Sequence, residues 1–169
     1  MDLQMDRQAE QIITLARAKR CMLRTVESCT GGLVFSRLTS ISGASAVLDR
    51  GFLTYSNQAK QDMVGVLPDT LARYGAVSEQ TATEMAIGAV RTAQPLVAAI
   101  SITGIAGPDG GTKDKPVGLV HIACAILRHQ NALPDSIARY EVFDGDRQAI
   151  REAAGNKALG LLAEQLEQL

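Results

Sequence analysis

A serine stands in a glycine-rich turn near the start of the chain. Ser28 lies in the segment ESCTGG, residues 27–32, between an apolar run and a stretch of helical character. A serine at a strand-to-helix turn can attack a carbonyl carbon while the next backbone N–H groups face an oxyanion or a phosphate. These candidate binding residues are Cys29, Thr30, Gly31 and Gly32. Serine is also a common helix cap, and this segment alone does not exclude that simpler role.

A tyrosine and a lysine follow in the next strand-to-helix unit. Tyr55 ends a predicted strand, and Lys60 lies in the predicted helix after it. If the two units are neighbours in a sheet, the phenol and the amine can both reach Ser28 and activate it for acyl transfer. A lysine acts as a base only when neutral, so its pKa must fall from about 10.4 to about 7–8 in a poorly hydrated pocket. The alternatives are a solvated helix lysine and a tyrosine that packs half-buried at a strand end.

A long glycine-rich segment, residues 103–118, separates two apolar runs. It is too long for a simple hairpin turn, and its glycines allow the backbone to approach a ligand closely. It contains neither a P-loop nor a dinucleotide-binding fingerprint. We expect a binding loop, with a mobile surface loop as the alternative. Its candidate ligand-binding residues are Thr103, Gly104, Gly107, Gly110 and Gly111.

Histidine and cysteine are scarce. His121 lies in an apolar run, where a satisfied core histidine is expected, and His129 lies in a polar loop, so a Ser-His-Asp triad is hard to assemble. The three cysteines form no C-x-x-C pair, and we expect reduced thiols, no metal and no cofactor. A cysteine amidase that uses Cys29 is an alternative to the serine.

Two arginines stand one turn apart at the start of the last predicted helix. Arg147 and Arg151 can face a phosphate, or they can simply belong to a solvated helix face. We keep Arg147 as a candidate substrate-binding residue.

Alternating helices and strands must position these residues. Helical spacing from Met5 to Arg20 is followed by a β-type run, and the alternation continues to a helix that begins near Asp146. The pattern predicts a three-layer α/β/α sandwich with a mainly parallel, mixed sheet, whose antiparallel strands flank the glycine-rich segment. Binding sites in such sheets lie beyond the carboxyl ends of the strands. Because Ser28, Tyr55 and Gly104 each follow a predicted strand, we expect their loops to converge.

Composition restricts the class of protein. The chain has 169 residues and 46% hydrophobic content, which suits one domain over residues 1–169. Its 17 basic and 18 acidic residues are spread along the chain, so extended nucleic acid is not an expected partner. The polar N-terminus is unlike a signal peptide, and the apolar runs are shorter than the roughly 20 residues of a membrane span. We therefore expect a cytoplasmic protein that does not bind a membrane.

Six segments together resemble the CinA C-terminal family. They are ESCTGG (27–32), RGFLTYSNQAK (50–60), GAVS (75–78), TGIAGPDGG (103–111), KPVGLVHIA (115–123) and GDRQAIR (145–151). Their order and spacing match throughout, and the resemblance extends from about Gln8 to Leu162. Some relatives carry this module behind a larger N-terminal domain, which this sequence lacks, so it resembles the stand-alone form.

The resemblance implies a reaction and roles for the candidate residues. The family is known as nicotinamide-nucleotide amidohydrolases, which convert nicotinamide mononucleotide to nicotinate mononucleotide and ammonia in pyridine-nucleotide salvage. By resemblance, Ser28 is the nucleophile and Tyr55 and Lys60 are its activating partners. Residues 30–32 would lie beside the nucleophile, and residues 104–111 would wrap the ribose phosphate or the ring. The resemblance also implies a small-molecule nucleotide as partner and, by analogy, a homo-oligomer. A non-catalytic nucleotide-binding module of the same fold is the alternative.

Overall fold

A computed structural model describes residues 3–91 and 96–169, which form six α-helices and five β-strands. The strands are β1 (Met22–Glu27), β2 (Leu48–Leu53), β3 (Val97–Gly104), β4 (Leu119–Leu127) and β5 (Asp135–Val142). The helices are α1 (Leu3–Lys19), α2 (Leu33–Thr39), α3 (Asn57–Val64), α4 (Pro68–Tyr74), α5 (Glu79–Val90) and α6 (Arg147–Glu167).

The five strands form one mixed sheet in the order β2-β1-β3-β4-β5. The strands β2, β1 and β3 are parallel, and β4 pairs antiparallel with both β3 and β5. Near the carboxyl ends of the parallel strands, Glu27 pairs with Leu53 on one side and Ile102 on the other. The loops after these three strands therefore begin at the same edge of the sheet.

Helices cover both faces of the sheet. Successive side chains of a strand point to opposite faces, so each central strand contributes to two separate apolar cores. Ala98, Ile100 and Ile102 of β3 belong to the core beneath α1, α2 and α6. Val97 and Ala99 of the same strand belong to the core beneath α5. A strand buried on both faces reads as a continuous apolar run, as β3 does. The predicted three-layer α/β/α fold with a mixed sheet is confirmed.

Close helix packing holds α3 against α5. Gly88 of α5 lies so near the end of α3 that a Cβ atom at position 88 would be 1.7 Å from the carbonyl oxygen of Val64. Only glycine leaves room for this contact. Since α3 carries Lys60, the packing at Gly88 contributes to the position of that side chain.

None of the helices within residues 3–91 and 96–169 is both long and apolar enough to cross a membrane.

Candidate active site

The three loops meet around a cavity of about 180 Å³ at the carboxyl edge of the sheet. Ser28 follows β1, Tyr55 follows β2 by two residues, and Gly104 ends β3. The side chains and backbone that line the cavity belong to Ser28, Cys29, Tyr55, Lys60, Ala76, Val77, Thr103, Gly104, Ala106 and Arg147. The structure thus brings together all three residues expected to do chemistry.

Lys60 and Ser28 are in direct contact. The Nζ atom of Lys60 lies 3.0 Å from Ser28 Oγ and 2.7 Å from the carbonyl oxygen of Thr54. The helix that carries Lys60 begins after Ser56, whose hydroxyl accepts a hydrogen bond from the N–H of Ala59 at 3.0 Å. This cap fixes the first turn of α3 and so directs the lysine toward β1.

The environment of Lys60 opposes its positive charge. The side chain is only 1% exposed, and burial lowers the pKa of the amine below its ordinary value. Within the described parts of the chain, no carboxylate forms an ion pair with it. A neutral Lys60 would donate to Thr54 and accept the hydroxyl proton of Ser28. The alternative of a solvated helix lysine is wrong.

Tyr55 lies at the mouth of the cavity. It is 67% exposed, and its hydroxyl accepts a hydrogen bond of 3.2 Å from Arg147. It makes no hydrogen bond with Ser28 or Lys60 in the described structure. The tyrosine is therefore not the half-buried packing residue of the alternative interpretation, and its activating role stays a prediction.

Two arginines of α6 link the loops around the cavity. Arg147 donates to the carbonyl oxygen of Gly107 at 2.7 Å as well as to Tyr55. Arg151, one turn further, donates to the carbonyl oxygen of Thr30 at 2.8 Å. Although Arg147 is exposed, it is not simply part of a solvated helix face, because it lines the cavity and joins two of its loops.

The buried side chain of Glu27, at the end of β1, accepts hydrogen bonds from the backbone at the start of α2. Glu27 is fully buried, and three backbone N–H groups donate to its side chain at 2.8–3.1 Å. These groups belong to Gly32, Val34 and Phe35. The N–H of Gly31 donates to the carbonyl oxygen of Ser28. The expectation that the N–H groups of Gly31 and Gly32 face an oxyanion is therefore wrong, because both are used within the turn.

The remaining N–H groups of the turn lie against the thiol of Cys29. Those of Cys29 and Thr30 partly offset the effect of burial on this thiol, whose pKa burial nevertheless raises to about 11. A thiol with this pKa is almost entirely protonated at neutral pH, and the thiolate is the reactive form. The structure therefore disfavours a cysteine amidase based on Cys29.

The glycine-rich segment contributes to the cavity only through its first residues. Thr103, Gly104 and Ala106 line the cavity, whereas Gly110 and Gly111 are exposed and lie outside its lining. Gly104 is required for sheet packing, because a Cβ there would lie 2.6 Å from a methyl group of Val120. The predicted binding roles of Gly107, Gly110 and Gly111 stay predictions.

Sequence reasoning missed two residues of the cavity lining and misjudged a histidine. Ala76 and Val77 line the cavity through the α4–α5 loop, and the only signal for them was the short segment GAVS. Among the described residues, the imidazole Nδ1 of His121 has no hydrogen-bond partner, so the expectation of a satisfied core histidine is wrong. Its ring packs beside Tyr140, with centroids 5.6 Å apart. Among residues 3–91 and 96–169, no three histidine, cysteine or acidic side chains group closely enough to hold a metal ion.

Fold and site together define a three-layer α/β protein with a buried serine–lysine pair at the carboxyl edge of a mixed sheet. The chain belongs to the CinA C-terminal domain family, which matches residues 5–166. The predicted family is confirmed.

Named relatives and solved structures agree with this assignment. The chain is 48% identical to nicotinamide-nucleotide amidohydrolase PncC of Escherichia coli K12, over 95% of the chain and 93% of that protein. A CinA-like protein of Syntrophobacter fumaroxidans is 49% identical over 86% of the chain, which corresponds to 33% of that longer protein. The competence/damage inducible protein CihA of Agrobacterium tumefaciens has the same fold, with a TM-score of 0.88, 44% identity and 99% coverage of both chains.

Proposed function

We propose that this protein hydrolyses the carboxamide of nicotinamide mononucleotide to nicotinate mononucleotide and ammonia. The observation that carries the proposal is the 3.0 Å contact between the Ser28 hydroxyl and the buried amine of Lys60. A nucleophile in hydrogen-bond contact with a base of lowered pKa is the arrangement that covalent acyl transfer needs. The name of the E. coli relative supplies the substrate.

In the proposed mechanism, neutral Lys60 accepts the Ser28 proton as Oγ attacks the carboxamide carbon. The C=O π electrons move to oxygen and give a tetrahedral intermediate. The lysine ammonium then protonates the nitrogen, the C–N bond breaks, and ammonia leaves an acyl-enzyme. Lys60 next takes a proton from water as the water oxygen attacks the ester. Collapse of the second intermediate returns that proton to Ser28 Oγ and releases the nicotinate product.

The size of the cavity favours partial enclosure of the substrate. Its volume of about 180 Å³ is below the roughly 300–1,000 Å³ of pockets that enclose a drug-sized ligand. We place the pyridine ring and carboxamide inside and the ribose phosphate at the mouth. There Arg147 is the candidate for the phosphate, because a guanidinium can bind two of its oxygens at once. Tyr55 would then help to orient Arg147 through the 3.2 Å hydrogen bond that joins them.

The test is ammonia release from nicotinamide mononucleotide by the purified protein. We expect turnover by the wild type and none by Ser28→Ala, because no acyl-enzyme can form. We expect Lys60→Ala to be slower by about 10²–10⁴-fold, the usual contribution of positioned acid–base help. Ser36→Ala, which changes an exposed serine of α2, is the matched control and should behave as the wild type does.

Two results would contradict the proposal. Near-normal ammonia release by Ser28→Ala would reject the serine as the nucleophile. Binding of nicotinamide mononucleotide by the wild type without any ammonia release would instead identify a nucleotide-binding module.

A further inference from the structure

The α4–α5 connection forms part of the cavity wall, and its backbone is held by side chains. We call Tyr74–Ser78 the wall segment; Ala76 and Val77 of this segment line the cavity. The carbonyl oxygens of its first four residues all accept hydrogen bonds from side chains. The donors are Lys115, Ser78, Thr81 and Thr103.

Lys115 makes two of these contacts from the far end of the glycine-rich segment. Its Nζ atom donates to the carbonyl oxygen of Tyr74 at 2.5 Å and to that of Val77 at 2.7 Å. Gly75, between them, has a φ of 77°, and a Cβ there would lie 3.2 Å from the lysine amine. A glycine at this position leaves space for the amine and accepts a backbone conformation that other residues avoid. The lysine therefore spans the wall segment from Tyr74 to Val77.

The direction of each of these carbonyl groups determines the direction of the N–H group of the next residue. In a trans peptide, the C=O and the following N–H point in opposite directions. The carbonyl of Gly75 faces Ser78 and Thr81, so the N–H of Ala76 points away from those hydroxyls. The carbonyl of Ala76 faces the hydroxyl of Thr103 at 2.7 Å, so the N–H of Val77 points away from it. In the part of the chain that the structure describes, neither N–H has a protein acceptor.

We propose that Lys115 is a positioning residue, which holds the wall segment so that the N–H groups of Ala76 and Val77 donate to the carboxamide oxygen as it gains negative charge. This inference rests on the proposed function. The N–H groups of Gly31 and Gly32, in the turn after β1, are already bonded and do not serve as such donors. Unbonded backbone N–H groups beside a nucleophile are the usual stabilisers of an acyl-transfer intermediate.

The test compares Lys115→Met, Lys115→Arg and Lys113→Met for ammonia release from nicotinamide mononucleotide. Loss of the clamp should lower kcat of Lys115→Met by roughly 10–100-fold while KM changes less than about threefold, because the donors act mainly in the transition state. Lys115→Arg keeps two donors and should restore most of kcat. Lys113 is the matched control, since it is exposed and makes no hydrogen bond or ion pair with described residues.

A second measurement separates this inference from the proposed substrate. A fluorophosphonate probe labels an activated serine without requiring nicotinamide mononucleotide, and its phosphoryl oxygen needs the same donors. The labelling rate of Ser28 should fall in Lys115→Met and not in Lys113→Met. If the wild type is labelled but releases no ammonia, the proposed function fails while the labelling comparison still tests Lys115.

Rates of Lys115→Met within twofold of the wild type in both assays would overturn the inference, as would a Lys115→Arg variant as slow as Lys115→Met. Thermal unfolding is measured in parallel. If Lys115→Met is unfolded at the assay temperature, Lys115→Ala replaces it under the same criteria, because alanine likewise removes both donated hydrogen bonds.

Discussion

Lys60 is held in an environment that favours its neutral form, and this preference has a cost in stability. Burial lowers the pKa of its amine below the ordinary 10.5. The unfolded chain therefore binds this proton more tightly than the folded chain does. Below the folded pKa, the folded protein bears the full cost of a buried charge. As the pH rises through the folded pKa toward 10.5, that cost disappears and the free energy of unfolding increases.

We therefore expect Lys60→Met to stabilise the protein while it removes activity. Near neutral pH the gain in the free energy of unfolding should be on the order of 1 kcal/mol, because a methionine fills similar volume without a buried charge. The gain should shrink when the pH is raised toward 10. Denaturant unfolding at both pH values measures it.

The matched control for this comparison is Lys157→Met. Lys157 is an exposed residue that forms an ion pair with Glu141, and exposed pairs contribute only about 0–1 kcal/mol. Loss of this ion pair should lower the free energy of unfolding slightly or leave it unchanged. A Lys60→Met variant less stable than the wild type at neutral pH would show that its two hydrogen bonds outweigh the cost of burial.

The proximity of Ser28 and Lys60 could be predicted from their positions in the chain. Ser28 and Lys60 follow neighbouring parallel strands, and the carboxyl ends of such strands meet at one edge of the sheet. The side chain of Glu27 could not be placed in the same way. Whether a glutamate at a strand end turns toward the following helix or toward solvent depends on packing that the sequence alone does not reveal.

The position of Lys60, the proposed base, depends on the contact between α3 and α5. A Cβ atom at Gly88 would overlap the carbonyl oxygen of Val64. Backbone atoms cannot move aside as a flexible side chain can, so α3 itself would have to shift. Any shift of α3 moves Lys60 relative to Ser28, which lies on a different element.

Gly88→Ala should therefore reduce both stability and turnover. Overpacking of this kind costs about 1–3 kcal/mol, and kcat should fall because a displacement of about 1 Å can cost up to 10²-fold in rate. Urea unfolding and ammonia release measure the two effects. The control is Gly160→Ala in α6, where the nearest atom is the end of the Gln8 side chain at 3.3 Å. Equal behaviour of the two variants would show that α3 adapts without consequence.

The sequence predicted the order of the elements well, but it did not predict the wall segment. Strands such as β3 and capped helices such as α3 have periodic or local signals that can be read from residue types. The wall segment takes part through backbone groups, and its residues Ala76 and Val77 carry no reactive side chain. Its relation to Lys115, 38 residues away from Val77, depends on how two loops pack together.

All three cysteines of the molecule are buried in the same apolar core, beneath α1, α2 and α6. Burial raises the pKa of Cys21 and of Cys29 to about 11, and that of Cys124 to about 12. The reactive thiolate is therefore scarce near neutral pH even before access is considered. The rate at which the cysteines react with a thiol reagent therefore shows whether the protein is folded.

We expect the native protein to react with a thiol reagent at pH 8 at least about 100-fold more slowly than the unfolded chain does. In guanidinium chloride, all three thiols should become reactive together. Native protein treated with iodoacetamide should keep its ammonia-releasing activity. Rapid loss of activity that nicotinamide mononucleotide prevents would instead point to Cys29 as a participant in the reaction.

The order of synthesis along the chain determines when the two arginines of α6 can make their contacts. Arg151 is separated by 121 residues from Thr30, whose carbonyl it holds, and Arg147 joins the loops that contain Tyr55 and Gly107. A ribosome completes all five strands before it reaches either arginine. Until α6 emerges and docks, the nascent chain has its sheet but not the hydrogen bonds that join its loops, so the site can be completed only after this helix has been synthesised.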